Sequence, residues 1–324
     1  MANKTKRNLS GYLPSLLLIF TLAVLWTLSG NSNAQNVQQK VFSSPEEAVK
    51  ALIAAAKSEN KEQLLEIFGP GSEDLVSSGD EKADEIALQK FVKRTEEMNH
   101  VDISTDGKAI LSIGNDDWPF PVPIIKDGDK WRFDTASGME EMLDRRIGKN
   151  ELNTISVCNN FVSAEHDFAS KDRNGNGVLE YARKLVSTPG RQDGLYWDAA
   201  KDEEESPIGP LMAGATAEGY EISKAHPEPI PYHGYYYRIL TSQGPDAPGG
   251  KYNYIINGYM VGGFALLAYP AKYGSSGVMT FLVNQNGTIY QKDLGLNTEK
   301  IAKAIKEFNP DKTWKKLEQV SGLI

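Results

Sequence analysis

Apolar residues fall into a helical rhythm soon after residue 40. In residues 44–68 (SPEEAVKALIAAAKSENKEQLLEIF), Ala48, Leu52, Ile53 and Ala56 recur on one face. Ser44 stands as N-cap before Pro45, and Glu46 and Glu47 place acid in the first turn, so a helix is predicted there. Ser58-Glu59-Asn60 interrupts it, and a shorter helix runs on to Phe68. A third helix is expected over about 81–98, with Ile86, Phe91 and Val92 on a mixed face. Between 100 and 134 the period changes. Val101, Ile103, Ile110, Leu111 and Ile113 mark short strands around the turn Asp106-Gly107, and residues 120–125 and 130–133 flank Asp127-Gly128 as a hairpin. Helical spacing returns over about 137–169 through Met142, Ile147, Leu152, Ile155, Cys158, Val162 and Phe168, and Gly148 and Asn150 are expected to divide this stretch into two helices. Residues 170–324, rich in Gly, Pro, Tyr and Asn, read as loops and strands, the best strands being 235–240, 264–269, 278–283 and 288–290. Residues 284–287 (NQNG) form a turn between the last two strands, and a final helix is expected over 298–308. The predicted class is α+β, with an N-terminal α+β domain at 35–136 and a C-terminal domain at 137–324.

The first 34 residues follow a different logic. Lys4, Lys6 and Arg7 form a positive n-region, residues 13–28 (LPSLLLIFTLAVLWTL) an uncharged apolar run, and Ser32-Asn33-Ala34 a small-residue cleavage site before Gln35. The run is shorter than the roughly 20 apolar residues of a spanning helix. A cleaved signal peptide and a periplasmic or extracellular mature protein are therefore expected, with no stable membrane span after cleavage. Without a Cys near the cleavage point, a lipoprotein is not signalled.

Cleavage would leave 32 basic against 43 acidic residues, a formal charge near -11. Such an acidic chain is a poor partner for nucleic acid or anionic lipid. The single Cys158 cannot form an internal disulfide, and it lies on the apolar side of its predicted helix as a small hydrophobe.

The series NGNGVLEYARKL, RQDGLYWDA, HGYYYRILTSQGPDAPGG and the long stretch from Tyr254 to Gly295 resemble the bacterial exported family catalogued as domain of unknown function 2950. The SPEEAVKAL opening and the WPFP and W-x-F-D motifs at Trp118 and Trp131 extend the resemblance over the mature chain. The family implies export and no defined activity. The helix-then-sheet order of the first half is similar to the cystatin-like or NTF2-like cone, a fold that serves enzymes, binders and scaffolds alike. The second half is distantly similar to the heads of type IV pilins and pseudopilins, through its long helix, its Asp-rich loop and the pattern G-x-x-x-F-x-V-x-x-x-G beginning at Gly277. Unlike a pilin, this chain places a complete α+β domain before that helix, which implies a soluble, pilin-like head.

The sharpest local pattern is Asp172-Arg173-Asn174-Gly175-Asn176-Gly177-Val178-Leu179-Glu180. Oxygen-bearing Asp172, Asn174 and Asn176 at alternate positions, Gly177 for the turn and Leu179 as buried anchor match the first half of a calcium loop. The twelfth position is Arg183 instead of a bidentate Glu, so Glu180 at the ninth would have to close the site. Weak calcium binding by Asp172, Asn174, Asn176 and Glu180 stands beside a plain Asx-rich turn as the two readings; no other cofactor is expected. His100, His166, His226 and His233 show no zinc spacing, Ser275-Ser276-Gly277 lacks a nucleophile elbow, and Gly258, Gly262 and Gly263 lack the Lys-Ser/Thr of a phosphate loop. Tyr232, Tyr235, Tyr236, Tyr237, Tyr252, Tyr254 and Tyr259 suit either a binding surface or a tyrosine-built core. These features favour a non-enzymatic envelope protein that binds another protein or a polymer. The alternative is a hydrolase of cell-wall or extracellular polymer using carboxylates such as Asp172, Glu180 or Asp198.

Overall fold

The computed structural model describes residues 38–199, 204–217 and 230–318. The expected signal peptide (residues 1–34), Gln35 and His226 lie outside the described residues. Four helices open the chain: α1 (Pro45–Lys57), α2 (Lys61–Phe68), α3 (Glu73–Val76) and α4 (Glu81–Glu97). Each of the three longer ones is capped by the residue before it, because the first N–H groups of a helix lack partners within it. Ser44 Oγ accepts from Glu47 N (3.2 Å), Asn60 Oδ1 from Gln63 N (2.9 Å) and Asp80 Oδ1 from Ala83 N (3.0 Å). An antiparallel sheet follows, made of β1 (Asn99–Ile103), β2 (Ala109–Ile113), β3 (Trp118–Pro119), β4 (Ile124–Asp127) and β5 (Lys130–Phe133). Its order is β1-β2-β4-β5, with β3 also paired to β2. Ala109, Leu111 and Ile113 alternate inward along β2 and meet Val49, Leu52 and Phe68 from α1 and α2, which makes the first hydrophobic core.

A single helix, α5 (Thr135–Ala169, 35 residues), then leaves that core and enters a second. Met139 and Met142 near its start pack on the first core, whereas Cys158, Phe161, Ala164 and Phe168 belong to the second. After α6 (Gly209–Ala217) come β6 (Tyr235–Leu240), β7 (Ser242–Gln243), β8 (Tyr252–Asn253), β9 (Ile255–Ile256), β10 (Tyr259–Met260), β11 (Ala265–Pro270), β12 (Met279–Asn284) and β13 (Ile289–Asp293). The chain continues through α7 (Thr298–Ala304) to β14 (Lys315–Lys316). The main sheet runs β14-β13-β12-β11-β6, all antiparallel, and α5 packs on it through β11 and β12. Every residue of β11 is buried, as expected of a central strand covered on both faces.

The α+β class is as the sequence predicts; several details differ. The expected break at Gly148 and Asn150 is absent: Gly148 is exposed with open space around it, and Asn150 is buried and donates from Nδ2 to Ser276 O (2.9 Å). A helix held by tertiary bonds on its inner face tolerates one glycine on its outer face. The final helix stops at Ala304 because the chain turns so that Phe308 N can donate to Ser242 O (2.9 Å). Helices α3 and α6 were not expected, and each is short. Leu179, read as a buried anchor, is 58% exposed.

These environments set opposite outcomes for two glycines of α5. Gly148→Ala should raise stability by about 0.5–1 kcal/mol, the ordinary helix-interior gain. Gly138→Ala should lower it by about 1–3 kcal/mol, because its Cβ would meet Val122 Cα at 2.5 Å and Pro121 O at 2.8 Å. Chemical denaturation of the two variants beside the parent checks both signs.

Candidate functional site

Among the described helices, α4 is the odd one. It is 17 residues long, yet only Thr95 is fully buried, while Ile86, Leu88, Phe91 and Val92 are half-buried. The sequence explains this, since its apolar positions do not form one continuous stripe. Between α4 and α1–α3 lies a cavity of about 320 Å³, at the lower end of the roughly 300–1,000 Å³ of small-molecule sites. Its walls are Leu52 and Ala56 of α1, Leu64 and Phe68 of α2, Leu75 and Val76 of α3, and Phe120 and Met142. The rings of Phe68, Phe91 and Phe120 form a connected cluster, with centroids 6.5 Å apart for Phe68 and Phe120 and 5.5 Å for Phe91 and Phe120.

The cavity face of α4 carries Glu81, Asp84, Glu85, Leu88 and Phe91, at i, i+3, i+4, i+7 and i+10. It is acidic at one end and apolar at the other. Asp84 is oriented by Ser78 N, which donates to Oδ2 at 2.9 Å, and Glu85 pairs with Lys82 at 2.7 Å. Arg146 of α5 closes another wall. It donates from Nη1 to Asp74 O (2.6 Å) and from Nη2 to Leu75 O (2.8 Å), so its fork is engaged by the carbonyls of α3. Burial lowers its pKa from the usual arginine value, against the opposing pull of Asp84 and Asp74. Sequence reasoning did not find this site; the mixed face of the third predicted helix was its only trace.

The calcium-type loop is brought together as its spacing suggests, but its residues bond to one another. Both Asn174 Nδ2 (3.0 Å) and Asn176 Nδ2 (2.7 Å) donate to Glu180 Oε1. Asp172 accepts from Asn176 N (3.0 Å) and Gly177 N (2.8 Å). Glu180 Oε2 accepts from Met260 N (3.2 Å) and from Arg183 (3.3 Å), which places a cation where a calcium loop carries its last carboxylate. Burial pushes the Glu180 pKa up, but hydrogen bonds from Asn176, Met260 N and Asn174 and the charge of Arg183 outweigh it, leaving Glu180 below its usual value. Asp198, the third carboxylate considered for hydrolysis, accepts from Tyr196 OH at 2.8 Å. It lines a separate polar pocket with Arg191 and Trp197, which Asp172 and Glu180 do not reach.

The tyrosines divide. Tyr235 and Tyr254 are fully buried and donate to Met279 O (2.9 Å) and Gln243 Oε1 (3.0 Å), whereas Tyr252 is 37% exposed. Ser275 and Ser276 are buried in a tight turn in which Ser276 Oγ accepts from Lys272 N (2.9 Å). Cys158 is fully buried, and burial pushes its thiol up to about 12, so it is inert near neutral pH. His166 packs its ring on Tyr181 and Phe264, and His100 sits beside Asp102 at 3.0 Å.

With these motifs in place, the family model described as "Protein of unknown function (DUF2950)" matches residues 39–317. The chain belongs to the DUF2950 family. No curated protein and no solved structure matches it. This DUF2950 chain has an α+β fold of helices and antiparallel sheets. No described helix is long and apolar enough to cross a membrane.

One buried acid makes a pH prediction. Glu165 of α5 has no exposed surface; its Oε2 accepts from Ala182 N (2.8 Å) and its Oε1 has no hydrogen-bond partner among the described residues. Burial raises its pKa well above the usual 4.5, outweighing the Ala182 bond. The folded state therefore keeps a proton that the unfolded chain releases, and stability from this group is full below about pH 4.5 and is lost as pH rises toward the folded value. Glu165→Gln should match the parent at about pH 4 and gain on it steadily toward about pH 7.5, measured by urea denaturation. For the Asp172 loop, thermal melts in millimolar calcium and in chelator are expected to coincide, because N–H donors already satisfy its carboxylates; a raised midpoint in calcium would assign the ion to the loop.

Proposed function

We propose that this protein is an exported, non-enzymatic binding protein of the bacterial envelope, and that its binding site is the cavity beneath α4. The observation that carries the reading is an apolar void roofed by a helix whose own apolar side chains are only half-buried. An occupant would complete the burial of Leu88 and Phe91, at about 25 cal/mol per Å² of apolar surface removed from water. The lining has no nucleophile beside a base: its ionisable groups are carboxylates, Lys61 and Arg146. The carboxylates considered for hydrolysis are separated, with Asp172 and Glu180 in one turn and Asp198 in another pocket. Within this reading the first half is a cone-like receptor and the second a pilin-like head that meets an envelope protein or polymer. The address rests on the n-region and apolar run of residues 1–34. Recovery of the protein with Gln35 at its N-terminus fits it, and recovery with residue 1 intact in the membrane fraction overturns it.

The cavity is tested with the neutral, solvent-sensitive dye prodan. The mature protein should bind it at one saturable site with a blue-shifted emission. Ala56→Trp, which fills the void from α1, should abolish binding, and Leu88→Trp should do the same from α4 without altering the core beneath. A parent protein that leaves prodan emission unchanged, or tryptophan variants that bind it as the parent does, would overturn the assignment.

A further inference from the structure

The chemistry of the cavity also selects among ligands, and the selection rests on the cavity being the binding site. We infer that its ligand is a small amphiphilic cation: an apolar chain or ring system ending in one ammonium or similar positive group. The apolar part of the lining is formed by Leu64, Phe68, Phe91 and Phe120, side chains that carry no hydrogen-bonding group. An ionised group placed there would lose its hydration without recompense. The polar end is defined by the first two turns of α4, where Glu81, Asp84 and Glu85 stand on the cavity side. With Glu59, four carboxylates face the void against two cations, Lys61 and Arg146.

The two cations do not reverse that sign. Arg146 keeps its charge beside Asp84 while its fork is engaged by the carbonyls of Asp74 and Leu75, and Lys61 is exposed, as Glu59 and Glu81 are, so the lining retains an excess of two carboxylates. The carboxylates are held cheaply, because acids in the first turns of a helix are favoured by its dipole. Glu85 pairs with Lys82 on the surface, a contact a ligand ammonium can replace with little net cost, since exposed pairs contribute little.

The experiment displaces prodan from the mature protein with three ligands of one chain length, each below its micelle threshold: decylamine, decanol and decanoate. Decylamine should bind tightest and decanoate weakest, with the advantage of the amine over the alcohol shrinking as salt is raised. The double variant Glu81→Gln and Glu85→Gln should weaken decylamine roughly three- to tenfold and leave decanol unchanged. Equal displacement by all three, or decanoate binding best, would overturn the cationic assignment while the cavity stands as a binding site. Displacement by none would overturn it as well, and failure of prodan itself to bind would overturn both.

Discussion

The structure depends on one unbroken helix serving two hydrophobic cores. Helix α5 packs Met139 and Met142 against the first and Phe161 and Phe168 against the second. In proteins a helix takes most of its stability from tertiary packing rather than from propensity, so each core fixes one end of the same rod. Close contact is part of the arrangement at its start, where Gly138 lies so near Val122 that no side chain fits. Midway, Arg146 and Asn150 replace apolar contact with directed hydrogen bonds, Arg146 to α3 and Asn150 to the turn after β11.

A second fastening crosses the same region. Asp80 is almost wholly buried, and its two oxygens serve different halves of the chain: Oδ1 caps α4, and Oδ2 accepts from Gly234 N at 2.7 Å. Asp74, in the preceding helix α3, pairs with Lys272. The segment between α2 and α4 thus forms a wall of the cavity on one side and a joint to the second half on the other. Without the Asp80 carboxylate, Gly234 N would stay buried and unpaired, which costs about 1–3 kcal/mol.

Much of the framework was legible in the sequence because it follows local rules. Ser44 and Pro45 announce α1, the period-two run over Ala109, Leu111 and Ile113 announces β2, and Asn284 to Gly287 announces the β12–β13 turn. What escaped is non-local. The glycine that suggested a helix break is harmless because Asn150, two residues on, is tied to Ser276, and no spacing rule reports such a bond. The tyrosine cluster could have been surface or core, and only the sheet register places Tyr235 inside. At the Asp172 loop the spacing brings polar side chains together, and the amides of Asn174 and Asn176 are turned toward Glu180, an orientation that spacing does not fix. The cavity left little trace, since a void is the absence of side chains and shows only as a helix whose apolar positions fail to line up.

The length of α5 sets a distance. Met142 touches the cavity and Ala169 ends the helix just before the Asp172 turn, 27 residues later. At about 1.5 Å per residue this is roughly 40 Å, well beyond the screening length of salt water at about 8–10 Å. Charges at the two ends therefore do not sense each other through solvent. The rod is the ruler between them, and whatever one end learns of the other must be carried as a tilt or shift of α5 itself.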